Sequence, residues 1–200
     1  MSALSVNFPQ GNLEWRLPSR GRVGMYCLIA AEAAIFTIFV VAYLFYLGKS
    51  TAGPQPKDVL HVPVFYTFCL LASSLTVHVA VRKLIAGRMP AFATLWLLTI
   101  ALGVVFLFGT AREWIHLIDD EGLTISTNLF GTTYYSLVGL HAFHVTMGLL
   151  ALITVAVFYF AAWLRREHAE RLEILSMYWH FVDAVWVVVF TLVYVIGAAQ

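Results

Sequence analysis

The last apolar stretch of the chain contains two ionisable residues whose spacing could serve chemistry. His180 and Asp183 lie three residues apart, between Trp179 and Trp186. On a helix this spacing places the imidazole and the carboxyl on one face. Both groups are costly in lipid unless they face protein, water or each other. The pattern predicts a helix that faces a partner, with side chains suited to hydrogen bonds between helices, proton transfer or cofactor binding.

The other ionisable residues of the apolar stretches fall into two predicted layers when depth is counted at about 1.5 Å per helical residue. The inner layer consists of Glu32, His78, His180 and Asp183. The outer layer consists of His141 and His144, one turn apart, and of Glu113 at a level that could approach them. Two interpretations stay open. The groups either join helices by hydrogen bonds, each contributing about 0.6–2 kcal/mol, or form a proton path or cofactor site.

Metal and haem ligands are scarce in this pattern. His78 and His180 could ligate a haem from different helices, but haem-binding bundles usually offer two such pairs, and His141 and His144 share one helix face. A structural zinc site needs three or four clustered ligands, which the sequence does not show. Its two cysteines lie far apart within apolar runs, as buried small hydrophobes do. We therefore expect no catalytic residue and no metal ligand in this chain.

The elements that must position these residues are membrane-spanning helices. The 200-residue chain is 61% hydrophobic and only 12% charged, whereas soluble domains have about a quarter charged residues. Apolar runs long enough for a hydrocarbon core of roughly 30 Å occur at 24–47, 60–82, 91–111, 132–162 and 174–197. The sequence predicts an all-α bundle of five transmembrane helices over residues 24–200, preceded by a cytoplasmic segment, residues 1–23.

Lysine and arginine are distributed unevenly between the two sides of this predicted bundle. One side carries Arg16, Arg20, Arg22, Arg82, Lys83, Arg88, Arg165, Arg166 and Arg171, and the other carries Lys49, Lys57 and Arg112. Because the cytoplasmic side of a membrane protein is the one richer in lysine and arginine, we expect the N-terminus inside and the C-terminus outside. The net charge of +1 does not favour nucleic acid as a partner.

Five motifs occur in order along the chain. They are Ala31-Glu32-Ala-Ala-Ile-Phe36, Ser73-Ser-Leu-Thr-Val-His78, Phe106-Leu-Phe-Gly-Thr-Ala-Arg-Glu113-Trp114, Gly139-Leu-His141-Ala-Phe-His144-Val-Thr-Met-Gly148 and Tyr178-Trp179-His180-Phe-Val-Asp183-Ala-Val-Trp186. Together they resemble subunit III of the haem-copper respiratory oxidases, in its short five-helix form. The chain departs from the family pattern at Ala31, Thr110 and Ala142, where serine, glutamine and glycine are usual.

The resemblance implies a non-catalytic subunit of a terminal oxidase in a prokaryotic plasma membrane, packed on subunit I with subunit II and possibly a small subunit IV in the same complex. Haem and copper would belong to those partners. This chain would bind phospholipid and support proton uptake and the stability of the oxygen-reducing site. Candidates for contact with lipid or neighbouring subunits are Trp114, Tyr178, Trp179, Trp186 and Arg171.

Three alternatives stay open beside this interpretation. Within the family, the electron donor would be cytochrome c, with quinol as the alternative. From other classes, the chain could be a stand-alone haem-binding membrane protein or a proton-coupled transporter. The transporter is disfavoured because the predicted spans show neither inverted repeats nor helices broken by glycine and proline.

Overall fold

Five long helices form the molecule. The computed structural model describes residues 18–50 and 52–199, and over those ranges it is helical without strands. The long helices are α1 (Arg20–Tyr46), α3 (Val64–Ile85), α4 (Met89–Asp119), α5 (Leu129–Phe160) and α6 (Ala169–Phe190), and a short helix, α2, spans Pro56–Val59. A 3-10 turn, Arg166–His168, precedes α6, which continues as a π-helix, Thr191–Ile196, and a 3-10 turn, Gly197–Ala199. The five long helices are apolar enough to cross a membrane, which confirms the predicted all-α bundle of five spans.

The helix ends differ from the predicted spans where polar residues continue a helix. The span predicted at 91–111 belongs to α4, which runs on to Asp119, because helical hydrogen bonding does not stop where the apolar residues do. α1 begins at Arg20, inside the segment predicted as 1–23, of which residues 1–17 lie outside the described residues. The Ser19 hydroxyl accepts a hydrogen bond from the Arg22 backbone N–H at 3.4 Å, so it satisfies one unpaired donor at the helix start.

The connections between helices are short. α3 and α4 are joined around Gly87, whose φ of 76° is a left-handed conformation that glycine adopts without strain. Pro90 follows in the first turn of α4, where its missing N–H costs nothing. At the start of α5, the Asn128 side chain accepts from the Gly131 N–H at 2.8 Å and donates to the Pro54 carbonyl at 3.0 Å. Asn128 thereby ties α5 to the loop after α1.

The packing order places α5 and α6 at the centre of the bundle. α5 packs against α1, α4 and α6, and α6 packs against α1, α3 and α5, while α3 and α4 form an antiparallel pair. Arg22 and Glu173, 2.6 Å apart, join the starts of α1 and α6 on what we call the amino-terminal side. The opposite, carboxy-terminal side holds the ends of α4 and α6. The exterior carries many exposed large apolar residues, as helices facing lipid do.

Candidate functional site

The structure brings the polar residues together in cross-helix groups that differ from the two predicted layers. One group joins α1 to α5, a second joins α3 to α6, and a third joins α4 to the π-helical end of α6. The first group joins two residues of the predicted polar layers, and each of the other two also includes a hydroxyl group from outside those layers.

Glu32 and His144 form the group between α1 and α5. Their Oε2 and Nε2 atoms are 3.0 Å apart, with 22% and 7% of the side chains exposed. His144 Nδ1 lies 2.8 Å from the Leu140 carbonyl. A carbonyl only accepts hydrogen bonds, so Nδ1 carries a proton. The bond between Nε2 and Oε2 therefore holds one further proton, either on a carboxylic acid that donates to a neutral ring or on an imidazolium that donates to a carboxylate. The pair is neutral in both cases.

This pairing contradicts the predicted layers, which assigned Glu32 to the inner one and His144 to the outer one. The reason is the length of α5, whose 32 residues span about 48 Å. A helix longer than the hydrocarbon core tilts or projects, so depth counted along its own sequence does not match depth on α1. His144 consequently meets Glu32 and not Glu113.

The second group lies between α3 and α6. His180 Nδ1 is 2.7 Å from the Ser74 hydroxyl, and the His78 ring centroid is 6.2 Å from that of His180. His78 itself is exposed on the surface of the bundle. One turn along α6, Asp183 is only 4% exposed, and neither of its carboxyl oxygens has a hydrogen-bond partner within the described part of the chain. The group forms a row of polar side chains that extends from Asp183 in the core to the exposed imidazole of His78.

His141 belongs to none of these hydrogen-bonded groups. It is completely buried, its ring stacks on Trp186 at a centroid distance of 4.9 Å, and its edge contact with Phe106 measures 5.8 Å. Among the described residues neither ring nitrogen finds a partner. Although His141 and His144 are one turn apart, only His144 reaches across to α1, so the two have different roles.

Glu113 forms the third group with a residue that the sequence did not single out. The Tyr194 hydroxyl lies 2.8 and 2.9 Å from the two Glu113 carboxyl oxygens, and the Tyr134 hydroxyl is 3.5 Å from that of Tyr194. Tyr194 lies in the π-helical segment, whose wider turn shifts the side chains relative to the α-helical part of α6. A period of 3.6 residues could not predict that placement.

Two of the five predicted contact residues lie inside the bundle. Trp179 and Trp186 are 0% and 1% exposed, so the prediction that they contact lipid or another subunit is wrong. Trp179 donates to the Ser73 hydroxyl at 2.9 Å, and Gly103 and Gly148 make room for its ring. The physical reason is that an indole fills the space that facing glycines leave between helices.

The three other contact candidates remain accessible. Trp114 and Tyr178 are partly buried, and Arg171 is exposed. Arg171 lines an apolar cleft of about 280 Å³ with Trp163 and His168, at the junction of α5 and α6. Within the described ranges no three His, Cys, Asp or Glu side chains cluster closely enough to hold a metal ion. Taken together, the arrangement suits hydrogen bonding and proton sharing between helices.

Comparison with known proteins matches nearly the whole chain to one family. The family model described as cytochrome c oxidase subunit III matches residues 19–198. Cytochrome c oxidase subunit 3 of Synechocystis sp. is 36% identical over 190 residues, covering 90% of this chain and 77% of the relative. Cytochrome c oxidase subunit 3 of Alkalihalophilus pseudofirmus is 32% identical over 177 residues, covering 88% and 86%. Quinol oxidase subunit 3 of Bacillus subtilis is 28% identical over 177 residues, with the same coverages.

Proposed function

Because the chain belongs to the cytochrome c oxidase subunit III family, we propose that it is a non-catalytic integral subunit of a haem-copper terminal oxidase that packs on subunit I. Haem and copper belong to the partner subunits, subunit II lies in the same complex, and cytochrome c is the electron donor. The complex lies in a prokaryotic plasma membrane, with the N-terminus of this chain in the cytoplasm. The subunit supports proton uptake and the stability of the oxygen-reducing site.

The observation that carries the packing proposal is the exposed imidazole of His78. It lies seven residues before the end of α3 at Ile85, about 10 Å along the helix and therefore within the membrane. An imidazole that faced lipid at this depth would be costly. Leu75, one turn away, is exposed and apolar, as a membrane surface requires. The surface where α3 and α6 meet thus presents one polar group among apolar side chains, which fits a transmembrane helix of subunit I that offers a hydrogen-bonding side chain.

Substitution of His78 tests whether this side chain faces a protein partner or lipid. We expect His78→Leu to release subunit I from the purified complex in several-fold larger amounts, because the leucine leaves a buried polar group of the partner unsatisfied. His78→Gln should retain subunit I better, since its amide can still form hydrogen bonds. Subunit I remaining with this chain is measured on gels after detergent exchange. If the leucine variant retained subunit I as well as the unmodified chain does, His78 would face lipid.

The identity of the complex is tested by purification through a tag on this chain. A reduced-minus-oxidised spectrum with a-type haem, together with a large polytopic partner on the gel, is the expected result. Only o- or b-type haem would shift the donor to quinol, a choice on which the relatives above are divided by name. A single chain with its own haem would indicate the stand-alone cytochrome, and a colourless single chain would favour a transporter.

The geometry supports the accessory role over a haem carried by His78 and His180. The hydrogen bond between Ser74 and His180, 2.7 Å long, holds α3 and α6 in direct contact beside both imidazoles. A macrocycle would have to separate those helices and break that bond.

Phospholipid binding is proposed at the cleft that Arg171 lines on the amino-terminal side. The exposed guanidinium and His168 stand beside apolar walls formed by Trp163 and Leu172. A cation at the edge of an apolar cleft suits a lipid phosphate and its acyl chain.

A further inference from the structure

Two imidazoles meet on the carboxy-terminal side, where the connection before α3 passes the end of α4. His61 lies in that connection and His116 in the last turn of α4, and their ring centroids are 6.2 Å apart. Both side chains are exposed and line an open cleft of about 480 Å³. Imidazole nitrogen is a common ligand of Zn²⁺ and related divalent ions. The pair is therefore a candidate metal site.

The hydrogen bond of His116 leaves one ring nitrogen free to ligate. Its Nδ1 is 2.6 Å from Asp120 Oδ2, and since a carboxylate only accepts hydrogen bonds, Nδ1 carries the proton of the neutral ring. Nε2 then has its lone pair available. A carboxylate behind a ligating histidine is the usual partner in zinc sites, where it fixes the tautomer and raises the basicity of the ring.

Glu121 offers a carboxylate beside this free nitrogen. Its Oε1 lies 4.0 Å from His116 Nε2. Two ligands of one tetrahedral zinc ion, each about 2.1 Å from it, lie roughly 3.4 Å apart, so a small rotation of the Glu121 side chain closes the difference. The same bond length places the centroids of two ligating imidazoles roughly 5–6 Å apart, close to the 6.2 Å between His61 and His116.

The backbone that carries these ligands is held by buried neighbours. Leu60, which precedes His61, is buried. After α4, the Leu123 N–H donates to the Leu117 carbonyl at 2.8 Å, and both leucines are completely buried. The turn that contains Glu121 is thereby fixed on the end of α4. Ligands on an ordered backbone lose little conformational freedom when they bind, which favours affinity.

Water reaches this end of the bundle. His116 lies 27 residues after Met89, the first residue of α4, and therefore about 40 Å along the helix. That distance exceeds a hydrocarbon core of about 30 Å. The His116 side chain is 45% exposed and that of Glu121 is 35% exposed. A hydrated ion can therefore approach both side chains from solution.

The charges around the cleft favour a cation. Arg112 and Glu113 line it, and the carboxylates of Asp120 and Glu121 lie within 4.0 Å of the His116 ring nitrogens. Three carboxyl groups thus stand near the imidazoles against one guanidinium. A divalent cation is attracted by this local excess of negative charge.

We propose that His61 and His116 bind one Zn²⁺ ion, with Glu121 as the third ligand, Asp120 as a positioning residue and water completing the coordination. In the described part of the chain no three such side chains are already close enough together to hold an ion, so the ion itself closes this open site. His61 and His116 are 55 positions apart, and their pairing departs from the expectation that the chain has no metal ligand. The site uses residues of this chain alone and does not depend on which oxidase contains it.

The test measures binding of radioactive Zn²⁺, by equilibrium dialysis, to the protein purified through a tag on this chain. We expect His61→Ala and His116→Ala each to weaken the binding of one ion by at least about 10-fold, since losing a ligand costs no less than losing its supporting partner. His61→Cys should retain the ion, because a thiolate also ligates zinc. His168→Ala, which removes a partly buried imidazole on the amino-terminal side, is the matched control and should leave binding unchanged.

The positioning role of Asp120 has its own pair of variants. Asp120→Ala is expected to weaken binding about 10-fold, the lower end of the usual cost of losing such a partner. Asp120→Asn should recover most of that loss, because its amide oxygen can still accept the proton of His116 Nδ1. Full affinity in Asp120→Ala would contradict this role.

The proposal is overturned if either histidine-to-alanine variant binds Zn²⁺ as tightly as the unmodified protein, since both imidazoles are required. It is also overturned if millimolar Mg²⁺ displaces the ion, because Mg²⁺ competes for carboxylate oxygen and not for imidazole nitrogen. Subunit I on the gel shows that the complex is intact in each variant, so loss of zinc is distinguished from failure of assembly. Zinc bound by a chain purified without subunit I would support this site and contradict the proposed oxidase role.

Discussion

Replacing His144 with alanine is expected to lower the free energy of unfolding of this subunit by about 3 kcal/mol, because one partner of a buried pair is removed. The substitution leaves Glu32 without its hydrogen bond of 3.0 Å. It also removes an imidazole whose centroid lies 4.9 Å from that of the Phe36 ring. Thermal unfolding of the purified complex is measured, with the protease sensitivity of this chain as the signal.

Glu32→Gln is the informative companion to that variant. His144 Nδ1 donates to the Leu140 carbonyl, so the ring presents Nε2 as an acceptor whenever it is neutral. A glutamine amide at position 32 can donate to that nitrogen and replace the shared proton. The expected loss is therefore below about 1 kcal/mol, the net contribution of an ordinary hydrogen bond.

The comparison of the two variants tests whether the shared proton resides on Glu32 or on His144. If Glu32→Gln destabilised the subunit as much as His144→Ala, the pair would have to be an imidazolium and a carboxylate, whose charge attraction an amide cannot replace. Turnover measured on the intact Glu32→Gln complex then shows whether the proton of this pair also serves proton uptake.

Gly148→Ala is expected to lower the free energy of unfolding by about 1–3 kcal/mol, the usual range for overpacking a close-packed core. A methyl group at this position of α5 would lie 2.8 Å from the Trp179 ring and 3.3 Å from Tyr178 Cε1. The Trp179 ring cannot retreat without breaking its hydrogen bond to Ser73, which is 2.9 Å long. The same unfolding measurement applies.

Gly139→Ala provides the matched control on the same helix. Its methyl group would meet Trp114 at 3.5 Å, an ordinary contact distance. Alanine also has a helix propensity higher than that of glycine by up to about 1 kcal/mol, so this variant should be neutral or slightly more stable. Equal losses in both variants would mean that the cost arises from the backbone of α5 and not from the packing of Trp179.

Prediction from the sequence succeeded where one segment carries the information by itself. The five spans follow from hydropathy, which is a local property of each segment. Prediction failed where two segments had to be aligned in depth. Glu32 and His144 were assigned to different layers, and Glu113 was expected to approach histidines on α5, although it meets Tyr194.

The aromatic residues show the same limit. A tryptophan in a membrane sequence is typical of the interface, yet Trp179 and Trp186 are buried. Whether an indole faces lipid or a neighbouring helix depends on what lies opposite. The ring of Trp179 fits beside Gly103 and Gly148, which are 76 and 31 residues away in the chain.

The sequence by itself determined that this chain is a five-helix membrane bundle, and its ordered motifs pointed to the family that the comparison showed. Apolar length and motif order are properties of the chain alone, so no partner is needed to recognise them. Only the tertiary structure decided that Glu32 shares a proton with His144, that His78 is exposed and that Arg112 borders a cleft. Helix tilt, the π-helical turn at Tyr194 and the mutual fit of side chains set those relations, because each depends on where a second helix lies.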